Sequence, residues 1–231
     1  MRNRKVGFLG MLALTLTLGV ARKGVAQEET TGFELGFRVA YGIPLGKLEN
    51  GTGTASDSQL NDGISGQIPL WLDLGYRATP ELMIGGYFSY GFGLIGSEFS
   101  DNCDHIDSCT VRDLRLGADL QYHLQPQESV DPWLGAGFGY EWLTFSFSDS
   151  GTDLSATVRG WEFVSFQAGF DFPSGPTGGI GPFVAFSLGQ YDRTSVACDG
   201  SCNGLSDDSQ EIDDKALHQW LFLGVRGTFV L

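Results

Sequence analysis

Beyond its first twenty residues, the 231-residue sequence has no long apolar run. A helix that spans a membrane needs about 20 consecutive apolar residues, so the sequence after residues 6–20 predicts no such helix. Basic residues are also few, with 14 Lys and Arg against 28 Asp and Glu and a formal net charge of −14. Because nucleic-acid phosphates are bound through basic patches, this composition argues against nucleic acid as a partner.

The first 26 residues have the features of a secretory signal peptide. Three basic residues within positions 2–5 precede the apolar run, and small residues occupy positions −3 and −1 of a cut after Ala26. A cut after Ala21 is the alternative, and neither site has the cysteine of a lipoprotein. We assign 1–26 to the signal peptide and 27–231 to one β domain. Its formal charge is −19, because the removed segment holds five basic residues and no acid.

Only four cysteines are present, and they fall into two polar, acidic segments. An even number of cysteines in an exported chain favours disulfides. We therefore predict the pairs Cys103–Cys109 and Cys198–Cys202, while cross-pairing between the two segments stays open. A metal site built from Cys103, His105 and Cys109 is the alternative, and the oxidising compartment disfavours it.

Glycine is abundant, with 34 residues, about twice the ~7% share of an average protein. The chain also has 17 Phe and 7 Tyr. Small residues suit a narrow barrel interior, and aromatic residues are typical of the rims of a membrane barrel.

The last segment, 218–231, alternates strictly and predicts a strand with two different faces. One face is apolar or neutral and contains Leu221, Leu223, Val225, Gly227, Phe229 and Leu231. The other face carries the only charge, Arg226, for which we expect an Asp or Glu partner from a neighbouring strand. An apolar face that nothing later in the chain covers favours contact with lipid.

Seven more segments show the same division, so the sequence predicts eight strands. Their predicted bounds are 33–43, 67–78, 82–96, 111–125, 132–148, 155–172, 180–194 and 218–231. Connections alternate between short and long, except for an intermediate one at 149–153. Beyond Trp142 the apolar residues change to the other phase of the alternation, which predicts a bulge or a membrane exit. An even number of strands, joined by connections that alternate between short and long, is typical of transmembrane barrels. The predicted fold is all-β: an eight-stranded antiparallel up-and-down transmembrane β-barrel, with the first and last strands paired.

A soluble barrel or sandwich is the competing interpretation, with the apolar faces turned inward. The interior of an eight-stranded barrel only just accommodates side chains. It could not hold nearly every Leu and Phe of eight long strands. Glycine and paired charges fit that interior, so we favour the membrane barrel.

The run PWLGAGFG at 132–139 is echoed by GPFVAF at 181–186. With the signal peptide, the loop alternation and the last strand, these runs resemble the small eight-stranded outer-membrane barrels of Gram-negative bacteria (the OmpA/OmpX/OmpW-like class). The resemblance implies residence in the cell outer membrane among its lipids, as a monomer inserted by the barrel-assembly machinery. One departure is that such chains usually end on an aromatic residue, whereas this one ends on Leu231.

Ten charged residues are predicted to face the barrel interior, where ionised groups need partners. They are Glu34, Arg38, Asp73, Arg77, Asp113, Arg115, Asp119, Glu141, Asp171 and Arg226, accompanied by Gln121, Gln167 and His123. We expect them to form a paired network that fills and closes the barrel, without cofactor. A narrow channel for small solutes is the alternative function.

The sequence contains only three histidines and no local Ser/His motif, so we predict no enzymatic activity and no resident metal. The less favoured alternative is a lipid-modifying enzyme at the outer rim, using His218 near Asp213 and Asp214. The two acidic loops are expected to be solvated surfaces for interaction. Calcium binding is the alternative, although the spacing does not match an EF-hand; the acids concerned are Asp101, Asp104, Asp107, Asp207, Asp208, Glu211, Asp213 and Asp214.

Overall fold

Eight long antiparallel strands form the wall of the computed structural model, which describes residues 31–49, 58–96, 103, 106–174, 177–200 and 208–231. The predicted signal peptide, 1–26, lies outside the described residues. Among those described, no helix is long and apolar enough to cross a membrane. The wall strands are β1 (Gly32–Glu49), β3 (Ile64–Arg77), β4 (Leu82–Ile95), β5 (Ser108–His123), β6 (Asp131–Asp149), β7 (Thr152–Pro173), β8 (Gly178–Asp199) and β10 (Leu217–Val230). Three short elements accompany them: β2 (Ser58–Gln59), α1 (Leu60–Gly63) and β9 (Asp208–Glu211).

The wall is closed because its first and last strands pair. Each wall strand is hydrogen-bonded to the next along the chain, and β10 pairs with both β8 and β1. The β1–β10 register runs from Glu34 opposite Val230 to Gly46 opposite His218. A closed wall has no free sheet edge. The predicted eight-stranded fold and the pairing of its terminal strands are confirmed.

Side chains alternate between an apolar outer surface and a polar interior. Phe138 is 57% exposed on the outside, whereas its strand neighbour Glu141 is 1% exposed inside. On β10, Leu223, Val225 and Phe229 are exposed while Arg226 is buried, as the alternation predicts. The Leu and Phe side chains therefore form an outer belt, which a soluble barrel would have to bury.

The two ends of the barrel differ in their connections. Three short connections (78–81, 124–130 and 174–177) lie at one end together with Gly32 and Leu231, and we call this the turn end. The opposite end is the loop end. There the predicted intermediate connection is instead a two-residue turn at Ser150 and Gly151, with φ of 49° and 79°. Positive φ at both positions is typical of a tight type I′ hairpin turn, so β6 and β7 extend well beyond the outer belt.

The predicted change of phase after Trp142 is not found in β6. Its register with β5 is unbroken, and both Leu143 and Phe145 keep pointing inward and are buried. The irregularities lie instead on the next strands, with one extra residue at Phe163 in β7 and one at Asp192 in β8. The apolar residues of β6 near the loop end therefore line the interior.

Candidate functional site: the charged interior

The structure places all ten predicted charges inside the barrel, and none is more than 7% exposed. Gln121, Gln167 and His123 are buried there as well. The strand alternation brings these side chains inward, and each arginine organises a separate group along the barrel axis.

Arg77 organises the group nearest the turn end. Its Nε donates to Glu34 Oε2 at 2.7 Å, and its Nη1 donates to the carbonyl oxygen of Pro80 at 2.9 Å. Its Nη2 lies 3.1 Å from His123 Nε2, and His123 Nδ1 lies 2.5 Å from Asp131 Oδ2. This chain of contacts fastens the β3–β4 turn to the start of β6.

Arg226 forms the second group. Its guanidinium makes a two-pronged ion pair with Asp171, in which Nε lies 2.9 Å from Oδ1. It also donates to Gln121, and its Cζ lies 3.6 Å from the ring centre of Trp133. Asp171 lies on β7, which does not adjoin β10, so the predicted partner from a neighbouring strand is wrong. The pair instead connects strands that are not hydrogen-bonded to each other.

Arg38 forms the third group, in the middle of the barrel. It donates to Asp73 and, at 2.5 Å, to Gln167 Oε1. Its Cζ lies 5.3 Å from the Trp71 ring centre and 5.7 Å from that of Phe183, within the range of cation–π attraction.

Arg115 meets three carboxylates from three adjacent strands. Its Nε lies 2.8 Å from Asp113 Oδ2, its Nη2 lies 3.0 Å from Glu141 Oε1, and its Nη1 lies 2.9 Å from Glu162 Oε2. The arginine is itself 2% exposed. The contacts to Asp113 and Glu162 are charge-assisted hydrogen bonds, which are about twice as strong as neutral ones.

Glu141 is surrounded by further donors. Its carboxylate accepts hydrogen bonds from Tyr191 at 2.6 Å and from Trp220 at 3.2 Å, and His218 Nε2 lies 3.0 Å away. The His218 and Tyr191 rings stack with their centres 3.9 Å apart. His218 is therefore part of the interior, while Asp213 and Asp214, its predicted neighbours, are exposed.

Three interior groups were missed by the sequence interpretation. Glu162 lies inward because the extra residue at Phe163 shifts the phase of β7, and the consecutive apolar pair Phe163-Val164 was the available signal. Asp131 was assigned to a turn, although it begins β6. His218 has the same parity as Arg226, so strict alternation would have placed it inside.

Tyr87 explains why glycines lie inside the barrel. A Cβ atom on Gly117 would lie 2.5 Å from the Tyr87 ring, and one on Gly139 would lie 2.5 Å from its hydroxyl. The ring therefore occupies the space above both glycines. Its hydroxyl donates to Glu162 Oε1 at 2.7 Å, so the glycines help to position a partner of Arg115.

We expect Gly117→Ala to lower the free energy of unfolding by about 1–3 kcal/mol, the usual cost of overpacking. The new Cβ would lie 2.4 Å from the carbonyl oxygen of Phe138 as well as against the Tyr87 ring. Denaturant titration in lipid vesicles measures the effect. Gly227→Ala is the control: its Cβ would meet nothing closer than 3.9 Å, and equal costs for the two changes would contradict the role of Tyr87.

The loop end of the interior is closed by apolar side chains. We call this group the apolar cap; its members are Leu60, Ile64, Val111, Leu143, Phe145 and Ile212, all buried in one cluster. Below the cap, a cavity of about 10 Å³ lies between Arg38 and Arg115, room for about one water molecule. Polar and apolar groups thus fill the barrel in succession along its axis.

Acids outnumber arginines in the described interior. Eight buried carboxylates share four arginines and two histidines. Only His123, Asp131 and Asp171 offer ligand atoms spaced closely enough for a metal ion among the described residues. Arg77 and Arg226 already contact this cluster, and their charges would repel a cation. The cluster is therefore an extension of the ion-pair network.

The three described cysteines are disulfide-bonded. Cys103 and Cys109 form a disulfide, which rules out both the metal site with His105 and cross-pairing of these two residues. Cys198 is also disulfide-bonded. Its predicted partner Cys202 lies outside the described residues, as do His105, Asp101, Asp104 and Asp207.

No protein-family model matches the sequence, and no curated protein matches it. Similar solved structures include Neisserial surface protein A, with TM-score 0.48, 14% identity and coverage of 87% of this chain and 97% of that one. The outer membrane protein AlkL has TM-score 0.48, 19% identity and coverage of 94% and 98%. OprG from Pseudomonas aeruginosa has TM-score 0.49, 14% identity and coverage of 87% and 98%.

These likenesses are too distant to carry an argument about function. The fold follows from the molecule's own features, namely eight strands in a closed antiparallel order, an apolar outer belt and a charged interior. The chain is a small eight-stranded transmembrane β-barrel, the architecture of the small outer-membrane barrels.

Proposed function

We propose that the protein is a monomeric outer-membrane barrel with a closed interior. Its role is structural or is exerted through contacts made at its loop end. The observation that carries this proposal is the filled lumen. Its arginines are engaged by carboxylates, and the apolar cap covers the network on the loop side.

The turn end faces the periplasm in this proposal, and the loop end faces the outside. Short turns on the periplasmic side and longer connections outside are the rule for these barrels. The loop end also carries the Cys103–Cys109 disulfide and the exposed acids Asp213 and Asp214. Partner contacts would be made by this end, since binding residues concentrate on such connections.

A catalytic role is not part of the proposal. His123 and His218 are each 1% exposed and contact interior carboxylates. A hydrolase of the Ser/His/acid kind needs a nucleophile that its histidine can reach together with substrate. Neither described histidine is accessible from the outer rim.

A narrow channel is the competing function, and conductance distinguishes the two. Open porins use 16–18 strands, whereas eight strands leave an interior that side chains fill. We therefore expect the purified protein to produce no reproducible current steps in planar bilayers. A 16-stranded porin measured in the same bilayers serves as the positive control.

Asp119→Ala and Arg226→Ala supply the complementary measurement. Both side chains face the interior, so either change would alter the current of a genuine channel. Current steps in the unmodified protein that change in size with these substitutions would overturn the closed interior.

A further inference from the structure

Three arginines lie together on the outer wall of the barrel, just beyond the apolar belt on the side of the loop end. We call Arg112, Arg159 and Arg193 the arginine patch. Arg112 on β5 and Arg193 on β8 are exposed. Arg159 on β7 lies between them, in register with Trp142 on one side and Arg193 on the other, and so shares their outward face.

The concentration of positive charge is unusual for this chain. After residue 26 only nine basic residues remain, and four of them are the buried arginines of the interior. Three of the other five form the arginine patch, and the remaining two are Lys47 and Lys215. An acidic protein thus places most of its outer positive charge on one wall.

The patch is not neutralised by the described residues around it. Arg159 and Arg193 are directly opposite each other on neighbouring strands, an arrangement that destabilises a sheet when the charges are alike. Across from Arg193, Glu211 is bound by Lys215 at 2.7 Å. Arg159 Nε is buried and has no hydrogen-bond partner. Arg159 therefore keeps an unsatisfied donor next to a like charge.

A second acid approaches the patch besides Glu211. Asp192, the extra residue of β8, accepts a hydrogen bond from Tyr140 at 3.4 Å. Both Arg159 and Arg193 lie near enough to Tyr140 to act on it electrostatically. Asp192 and Glu211 together cannot balance three guanidinium groups and Lys215, so the neighbourhood keeps a net positive charge.

The surroundings fix the depth of the patch in the membrane. Next to it, towards the turn end, Tyr140, Trp142 and Trp161 form a contiguous aromatic group, with ring centres 4.7 and 5.1 Å apart. Tyr and Trp concentrate at the level of the lipid headgroups. One register step nearer the loop end than Arg159 and Arg193, the hydroxyl side chains of Thr144, Thr157 and Ser195 form a row across the strands, and Arg112 lies level with this row. The arginines therefore lie where headgroup phosphates lie.

We infer that the arginine patch binds the phosphate groups of a phosphorylated lipid in the outer leaflet. Guanidinium groups match phosphate oxygens in a two-pronged geometry. The bound anion would relieve the repulsion between Arg159 and Arg193, and the acyl chains would pack against the exposed rings of Trp161 and Phe163. This inference rests on the proposed outer-membrane location and orientation.

The test is titration of the purified, folded barrel with diphosphoryl lipid A in detergent, with bound lipid counted by native mass spectrometry. We expect the double variant Arg159→Gln/Arg193→Gln to bind about ten-fold more weakly, since charge-assisted hydrogen bonds are lost. The control is Lys47→Gln, which removes a positive charge from β1, a strand that adjoins neither β7 nor β8. It should change the affinity by less than about two-fold, because Lys47 takes no part in the two-pronged guanidinium–phosphate contacts.

Three results would overturn the inference. One is unchanged affinity in the arginine variant, and another is an equal loss in the lysine control, which would show attraction by net charge alone. The third is displacement of the lipid by millimolar inorganic phosphate, which would indicate a site for the free anion. Heat-dependent gel mobility verifies that each variant is folded. The two proposals can fail separately. Loss of lipid binding would contradict the inference about the patch but not the closed interior. Current steps in bilayers would contradict the closed interior but not the inference about the patch.

Discussion

Replacing Arg115 by alanine is expected to lower the free energy of unfolding by at least about 3–5 kcal/mol, the cost of breaking a buried ion pair. The change would leave the buried side chains of Asp113, Glu141 and Glu162 without their shared cation. Glu141 retains its other donors, Tyr191 and Trp220. Asp113 keeps only the Gln67 amide at 2.7 Å, so it should lose the most.

Denaturant titration in lipid vesicles, followed by the heat-dependent shift in gel mobility, measures this loss. Arg112→Ala is the matched control, because Arg112 lies three positions away on the same strand and faces outward. It should cost less than about 1 kcal/mol, as for other exposed charges. Similar costs for the two substitutions would show that Arg115 does not hold the interior together.

Phe138→Arg should destabilise the folded barrel by about 2–4 kcal/mol, the cost of a cation on the lipid face near the middle of the bilayer. Phe138 is exposed on β6, between Leu134 near the turn end and the aromatic group at Tyr140. Lipid cannot solvate a guanidinium there. The arginine patch, at the level of Trp142, lies four residues further along β6, and the strand begins seven residues away in the other direction at Asp131.

Ser146→Arg on the same strand is the control for that substitution. Its side chain shares the face of Phe138 but lies beyond the arginine patch, in the part of β6 that extends past the belt. The substitution should cost less than about 1 kcal/mol. If both substitutions were equally tolerated in vesicles, the outer wall would face water, and the soluble-barrel interpretation would be correct.

The alternation of the strands could be predicted from sequence because lipid and a narrow polar interior impose the same period of two. Arg38 and Asp73 were placed inside on that basis, and the structure brings them together. That these two residues pair with each other could not be predicted from the sequence, because the pairing depends on how far the strands are shifted against one another. Arg226 illustrates this limit, because the carboxylate that binds it, Asp171, belongs to a strand that does not adjoin β10.

Two kinds of feature could not be predicted from the alternation of apolar and polar residues. The extra residues at Phe163 and Asp192 shift the phase, so Glu162 could not be assigned to the interior by counting. Leu143 and Phe145 were misinterpreted for another reason. Near the loop end the interior itself becomes apolar, so residue type no longer distinguishes inside from outside.

The ion pairs of the interior have a consequence for how the barrel is made. Arg226 on the last strand meets Asp171 on β7, and Arg38 on the first strand meets Gln167, also on β7. An inserted sheet that still lacked its last strand would present Asp171 without its partner to lipid, where an unpaired charge is costly. Strand closure and charge neutralisation are thus the same event. We expect insertion to be cooperative, with open intermediates scarcely populated in the bilayer.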